Sequence, residues 1–220
     1  MRRFQEVMMS DPSRALVVID VQNEYVTGRL RIEYPEVHGS LARIGQAMDA
    51  AYAAAIPIVV VQHHAISAGA PLFARGSMGW ELHETVLRRP YDVRVEKTEP
   101  SALAGTALDA WLKARAVDTL TVAGYMTHNC DDSTIKHAML SGFSVEFLAD
   151  AAGAVSYKNA AGRATAADIH RAFMVVLQSR FAAVTTTDAW INSVQTGAPL
   201  ARDTILASHG RARAQTRDDP

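Results

Sequence analysis

The sequence predicts an α/β domain with a doubly wound, mainly parallel sheet and helices on both faces. Three observations predict it. Short apolar runs without polar alternation occur at residues 15–21 (ALVVIDV), 58–61 and 119–123, the composition of strands covered on both faces. Apolar residues recur at helical spacing between those runs, so strands alternate with helices. Asp20 and Cys130 fall at or just beyond the ends of two runs, where open parallel sheets hold their ligands.

Taken in order, residues 1–14 form an irregular arm, and the first strand ends at the charge of Asp20. Gly28 and Pro35 punctuate a loop. Leu41, Ile44, Ala47, Met48, Ala51 and Ala55 then trace a helical stripe before Pro57 and the second strand. Residues 62–79 (QHHAISAGAPLFARGSMG) have no period, and so long a connection points to a functional loop. A short helix is expected over 80–87, a short strand over 91–95, and a helix over 104–114 carrying Leu108, Trp111 and Leu112 on one face. The strand at 119–123 leads through Gly124 into a turn and a helix with Ile135, Met139 and Leu140, which Gly142 ends. Further strands are expected at 145–148 and 181–184, around a long helix over 160–180 with Ile169, Phe173, Val176 and Leu177 inward. One domain spans 15–196, and the polar tail 197–220 is aperiodic, suited to disorder or a subunit contact.

Composition narrows the function. The chain has 220 residues, 49% of them hydrophobic and 20% charged, enough for one sizeable core. A formal net charge of -1 and no block of like charge leave nothing to neutralise phosphates, so neither nucleic acid nor an anionic membrane is an expected partner. The single cysteine forms no internal disulfide, and residues 1–14 lack the apolar core of a signal peptide. No run approaches the roughly 18 apolar residues of a membrane helix. A reduced, cytoplasmic protein is the expectation.

Cys130 sits where a strand passes into a helix. The unpaired first amides and the positive end of the helix dipole favour an anion there, so the thiol is expected to shift toward thiolate. Buried inertness is the competing reading for any lone cysteine. Lys97 follows another strand. A thiol beside a lysine and a carboxylate makes a workable nucleophile, because the ammonium favours thiolate while the carboxylate takes and returns a proton. Taken singly, Asp20 also suits a turn cap and Lys97 a solvated surface.

DVQNEY at 20–25, KTEPSAL at 97–103 and GYMTHNC at 124–130, followed by STIKHAMLSGFSVEFLADA, resemble the isochorismatase-like cysteine hydrolases, the superfamily of nicotinamidases and N-carbamoylsarcosine amidohydrolase. The similarity runs in register over 15–189 with the motifs in the family's order. It implies that Asp20, Lys97 and Cys130 are a catalytic triad. Cys130 would attack a carbonyl of a small amide or ureide, Asp20 would shuttle the proton, and water would hydrolyse the thioester. The resemblance also implies a cis peptide between Tyr125 and Met126, with the amides of Met126 and Cys130 forming an oxyanion hole. It implies a homo-oligomer acting on a small molecule without a cofactor.

Where nicotinamidases carry a metal-binding Asp and His after the second strand, this chain has His63 and Ala65, so no metal is expected, and His63 and His64 suit a surface or supporting role. Asp131 and Asp132 replace small apolar residues after the nucleophile; carboxylates in a first helical turn suit the dipole, and one could also meet a polar substrate. Gln22, Tyr25, Phe73, Trp80 and Tyr125 are candidates for lining the substrate pocket, as are Asn23 and His128. His128 also raises a Cys–His arrangement, for which two residues along one turn is poor geometry. Two other functions fit the same residues: an isochorismatase-type vinyl ether hydrolase using the aspartate as acid, and a thiol-based redox or binding protein.

Overall fold

A computed structural model describes residues 11–67 and 69–215. Its centre is a six-stranded sheet with every neighbouring pair parallel, in the order β3-β2-β1-β4-β5-β8. These strands are β1 (Arg14–Ile19), β2 (Ile58–His63), β3 (Val93–Lys97), β4 (Thr119–Tyr125), β5 (Ser144–Gly153) and β8 (Ala183–Thr185). The apolar runs are central because both their faces are covered. Along β1, Leu16 and Val18 face a core with Ile44, Met48 and Trp190. Ala15, Val17 and Ile19 face a second core with Leu108, Leu112, Ile135 and Leu177. Helices α1 (Val37–Ala53) and α6 (Thr187–Thr196) cover the first face; α3 (Leu108–Lys113), α4 (Asp132–Leu140) and α5 (Ala166–Gln178) cover the second. One doubly wound α/β domain results, with its connections leaving Asp20, Lys97 and the Cys130 turn together beyond one end of the sheet.

The close approach of β1 and β4 there depends on Gly124, whose φ is 126°. A Cβ at this position would lie 2.0 Å from the Ile19 carbonyl oxygen, so a side chain would push apart the strands that carry Asp20 and Cys130.

Several expected elements differ. The arm expected over 1–14 lies outside the described residues for 1–10, and Arg14 already belongs to β1, where its buried guanidinium meets Glu146 at 2.9 Å. The helix expected from 160 starts at Ala166, because an antiparallel hairpin, β6 (Tyr157–Asn159) and β7 (Gly162–Ala164), intervenes. Val176, expected inward, is exposed, and Leu177 carries the burial. The helix expected over 104–114 shortens to Leu108–Lys113, since Gly105 is left-handed and Thr106 Oγ1 bonds back to the Ala102 carbonyl. The short helix expected over 80–87 is confined to α2 (Glu84–Leu87). Strand β5 runs on to Gly153, past the expected end at 148. The tail expected to be aperiodic contains α7 (Ile205–Gln215) as far as it is described. Among the described residues no helix is long and apolar enough to cross a membrane.

Candidate active site

Three strands, β1, β3 and β4, deliver the central side chains. Asp20 follows β1 with φ 50°, a left-handed turn that Asp tolerates better than most residues. Its amide still donates to the Val61 carbonyl at 3.0 Å, so the turn is held to β2. Lys97 ends β3, and the segment after it is pinned to α4: the Ala102 amide donates to Thr134 Oγ1 at 2.9 Å, and Ser101 Oγ lies 3.0 Å from His137 Nδ1. Cys130 lies in a π-helical turn, Thr127–Asp131, between β4 and α4. That wider turn is a common site of function in helices.

The three side chains meet. Lys97 Nζ is 2.6 Å from Asp20 Oδ2, an ion pair with both side chains at 0% exposure and off the ideal hydrogen-bond angle. The same Nζ donates to Cys130 Sγ at 3.3 Å. Burial disfavours charge on Lys97, but Asp20 and then Cys130 outweigh it and raise its pKa, so the ammonium is kept.

The expected thiolate is corrected by the structure. Burial is the largest influence on Cys130 and the Asp20 charge the next; both raise the thiol pKa, and Lys97 opposes them without prevailing. The resting group is therefore S–H, poised to give its proton to the carboxylate. Dipole and lysine were legible in the sequence; the depth of burial was not.

The peptide between Tyr125 and Met126 is cis. The Met126 carbonyl accepts from the amides of Asn129 at 3.0 Å and Asp131 at 3.2 Å, which closes the turn around the cysteine.

The pocket candidates divide. Tyr25 lies under the site, with its ring 5.2 Å from Phe73 and 5.7 Å from Tyr125. Burial is the largest influence raising its pKa, and negative charge on Cys130, Asp20 or Asp131 would raise it further, which leaves a neutral phenol. Phe73 packs between Tyr25 and His63, whose ring is 5.3 Å away. Trp80 is half-buried, and its carbonyl anchors two glutamines, Gln22 and Gln62, at 2.7 and 2.9 Å.

Two candidates are corrected. Gln22 is fully buried: its Nε2 donates to the carbonyls of His63 and Trp80, and its Oε1 accepts from the His63 amide at 3.0 Å, so it latches the long loop rather than facing substrate. Tyr125 points into the core, its hydroxyl 2.7 Å from Ser40 Oγ of α1.

The two histidines go separate ways. His63 is kept neutral by burial and packs on Phe73, while His64 meets Arg75 Nη2 at 3.0 Å. Among the described residues no three His, Cys, Asp or Glu side chains converge as a metal site needs. Asp132 fits its expected place on the helix, paired with Lys136 at 2.8 Å. Asp131 does not: it is 0% exposed, and neither carboxylate oxygen has a hydrogen-bond partner among the described residues. Sequence reasoning also missed Tyr157, which the hairpin brings to His128 of the nucleophile turn at 3.0 Å. The turn residues Asn159 and Gly162 were the available signal for that hairpin.

Comparison with known proteins adds the ancestry of this arrangement. The model of the isochorismatase domain matches residues 14–189. The fold superimposes with a TM-score of 0.93 on a crystal structure from Burkholderia xenovorans LB400 described as an isochorismatase, 63% identical and covering 94% of this chain and 100% of that one. The Bacillus subtilis isochorismatase family protein YddQ is 29% identical over 80% of this chain and 98% of its own length. The ureidoacrylate amidohydrolase RutB of Acinetobacter baylyi is 26% identical over 90% of each. With its sheet, its strand-end cluster and a match across most of its length, the chain belongs to the isochorismatase family of hydrolases.

Proposed function

We propose that this hydrolase cleaves a C–N bond of a small amide or ureide through a thioester on Cys130. The observation that carries the reading is the buried chain Asp20 Oδ2, Lys97 Nζ, Cys130 Sγ, with steps of 2.6 and 3.3 Å. Similarity to a ureidoacrylate amidohydrolase supports the bond class.

In this mechanism the thiol gives its proton to Asp20 as sulfur attacks the carbonyl carbon. Asp20 then protonates the leaving nitrogen, and a water, deprotonated by Asp20, hydrolyses the thioester. Lys97 pairs with the Asp20 carboxylate at 2.6 Å and favours negative charge on sulfur as it develops. The amides of Met126 and Cys130 stabilise the oxyanion, an interaction worth about 3 kcal/mol in other hydrolases. The reading also takes the protein to be a homo-oligomer; Leu140, Val175 and Val176 are exposed apolar residues such an assembly would bury.

The test is a panel of amides and ureides scored by ammonia release, with Cys130→Ala as the blank and mass spectrometry to trap an acyl adduct. Adduct on Cys130 and no turnover by the variant are expected. Activity surviving in Cys130→Ala would overturn the thioester route, and turnover of a vinyl ether by that variant would favour cleavage by the aspartate alone.

A further inference from the structure

The nucleophile turn carries a second polar pair outside the Asp20–Lys97–Cys130 cluster. His128, two residues before Cys130, places Nε2 at 3.0 Å from the Tyr157 hydroxyl, and the two rings meet edge to face at 5.1 Å. Tyr157 begins the β6–β7 hairpin, which pairs with no strand of the main sheet, and the ring remains partly open to solvent. The hairpin's base is held instead by side chains: Glu33 accepts from the Ser156 amide at 3.1 Å, and the Ala166 amide donates to Ser156 Oγ at 3.0 Å. Tyr157 is thus an accessible hydroxyl held against the turn that presents the thiol.

The proton arrangement in this pair follows from burial. His128 is neutral, because burial lowers its pKa, so one ring nitrogen carries a hydrogen and the other a lone pair. Its Nδ1 is buried without a hydrogen-bond partner among the described residues. If Nδ1 held the hydrogen, a buried N–H would be orphaned, the rarer and costlier defect; an unpaired lone pair is cheaper. The favoured tautomer therefore has Nε2–H donating to the Tyr157 oxygen. The phenolic O–H is then released from His128, and accepting that bond makes it a stronger donor. Burial raises the Tyr157 pKa, and negative charge developing on Cys130 would raise it further, so the phenol stays protonated.

We propose that Tyr157 is a specificity-determining residue of this site: its hydroxyl, oriented by His128, donates a hydrogen bond to an acceptor oxygen of the molecule attacked by Cys130. The proposal rests on Cys130 being the nucleophile. It adds a requirement on the substrate, an oxygen acceptor placed on the hairpin side of the reacting carbon, and it makes His128 a positioning residue.

Alkylation of Cys130 tests this without knowledge of the substrate. Iodoacetamide offers an acceptor oxygen beside the reacting carbon and iodomethane offers none, and both rates are read by intact-protein mass spectrometry. In Tyr157→Phe, which keeps the ring packing, the iodoacetamide-to-iodomethane rate ratio should fall about five- to tenfold, the loss of one neutral hydrogen bond. His128→Phe should give a similar fall, and the double variant no further fall, since both act through one contact. For any amide the wild type hydrolyses, Tyr157→Phe and His128→Phe should raise KM with kcat kept within about twofold. A ratio unchanged in Tyr157→Phe, or both reagents slowed equally, overturns the role of Tyr157 and leaves the nucleophile standing. Wild-type Cys130 inert to both reagents and to amides overturns the nucleophile, and this inference with it.

Discussion

The two ends of the sheet bury charge in opposite ways. At the end where the strands begin, Arg14 Nε donates to both Glu146 oxygens at 3.1 and 3.0 Å and Nη2 donates to Ser193 Oγ at 2.7 Å. Glu146 Oε2 also accepts from Thr121 at 2.8 Å and from the Trp190 indole at 2.9 Å. The cluster fixes α6 to the sheet, and its carboxylate is saturated. At the other end, Asp20 and Lys97 form an ion pair, Cys130 hangs from the same ammonium, and the Asp131 carboxylate next to it has no hydrogen-bond partner among the described residues. Saturated donors and acceptors hold structure; the unsaturated ones are available to a reaction. A buried polar group left unsatisfied costs stability, so its presence beside the thiol is consistent with a site that trades stability for chemistry.

Variants at the two ends should separate along that line. The largest effect is expected from Lys97→Met, which strands the Asp20 carboxylate and removes the cation beside sulfur. Activity on any amide substrate should drop by at least about a thousandfold, and stability by about 3–5 kcal/mol, as when one partner of a buried pair is removed. Glu146→Leu should cost a similar 3–5 kcal/mol, since Arg14 is left charged and buried. Its kcat/KM per folded molecule should nevertheless stay within about twofold of wild type. Urea denaturation beside steady-state kinetics checks both. A large activity loss in folded Glu146→Leu would mean that the two ends are coupled and the contrast is wrong.

How far the sequence carried differs between the same regions. The strands that position the site were legible because β1, β2 and β4 are buried on both faces and therefore continuously apolar. The hairpin at 157–164 and helix α6 were not. The hairpin is mostly exposed and carries no apolar pattern. Helix α6 buries only Thr187, Trp190 and Ser193, a stripe too polar to register as amphipathic. Within the site, the residue types at 20, 97 and 130 pointed to chemistry, and family resemblance joined them. Burial by distant segments decided the rest. It reversed the expected state of Cys130, turned Gln22 and Tyr125 into supports, and put Asp131 inside the protein, none of which is encoded in local spacing.

Asp131 offers a smaller effect of opposite sign. Burial, then the Asp20 charge, raises its pKa well above the ordinary 3.8. An acid whose pKa is higher folded than unfolded contributes stability that is fully present below the unfolded value and is lost as pH rises through the folded one. Wild type should therefore lose stability from about pH 4 upward until the folded carboxyl has ionised. Asp131→Val should remove that slope and gain about 1–3 kcal/mol at neutral pH. Thermal or urea melts across pH read the slope; a variant with the wild-type slope would show that another group supplies it.

The smallest expected effect tests the correction at Tyr125. Its hydroxyl meets Ser40 Oγ at 2.7 Å, and the ring is fully buried between α1 and Tyr25. Ser40→Ala keeps the packing and leaves the phenol without that partner, at a cost of about 1–2 kcal/mol. Because the hydroxyl points away from the thiol side of the sheet end, KM and kcat should not move with that loss of stability. A rise in KM alone would show that Tyr125 reaches the substrate after all, and that the supporting polar contacts under the site are not separable from the unsaturated ones within it.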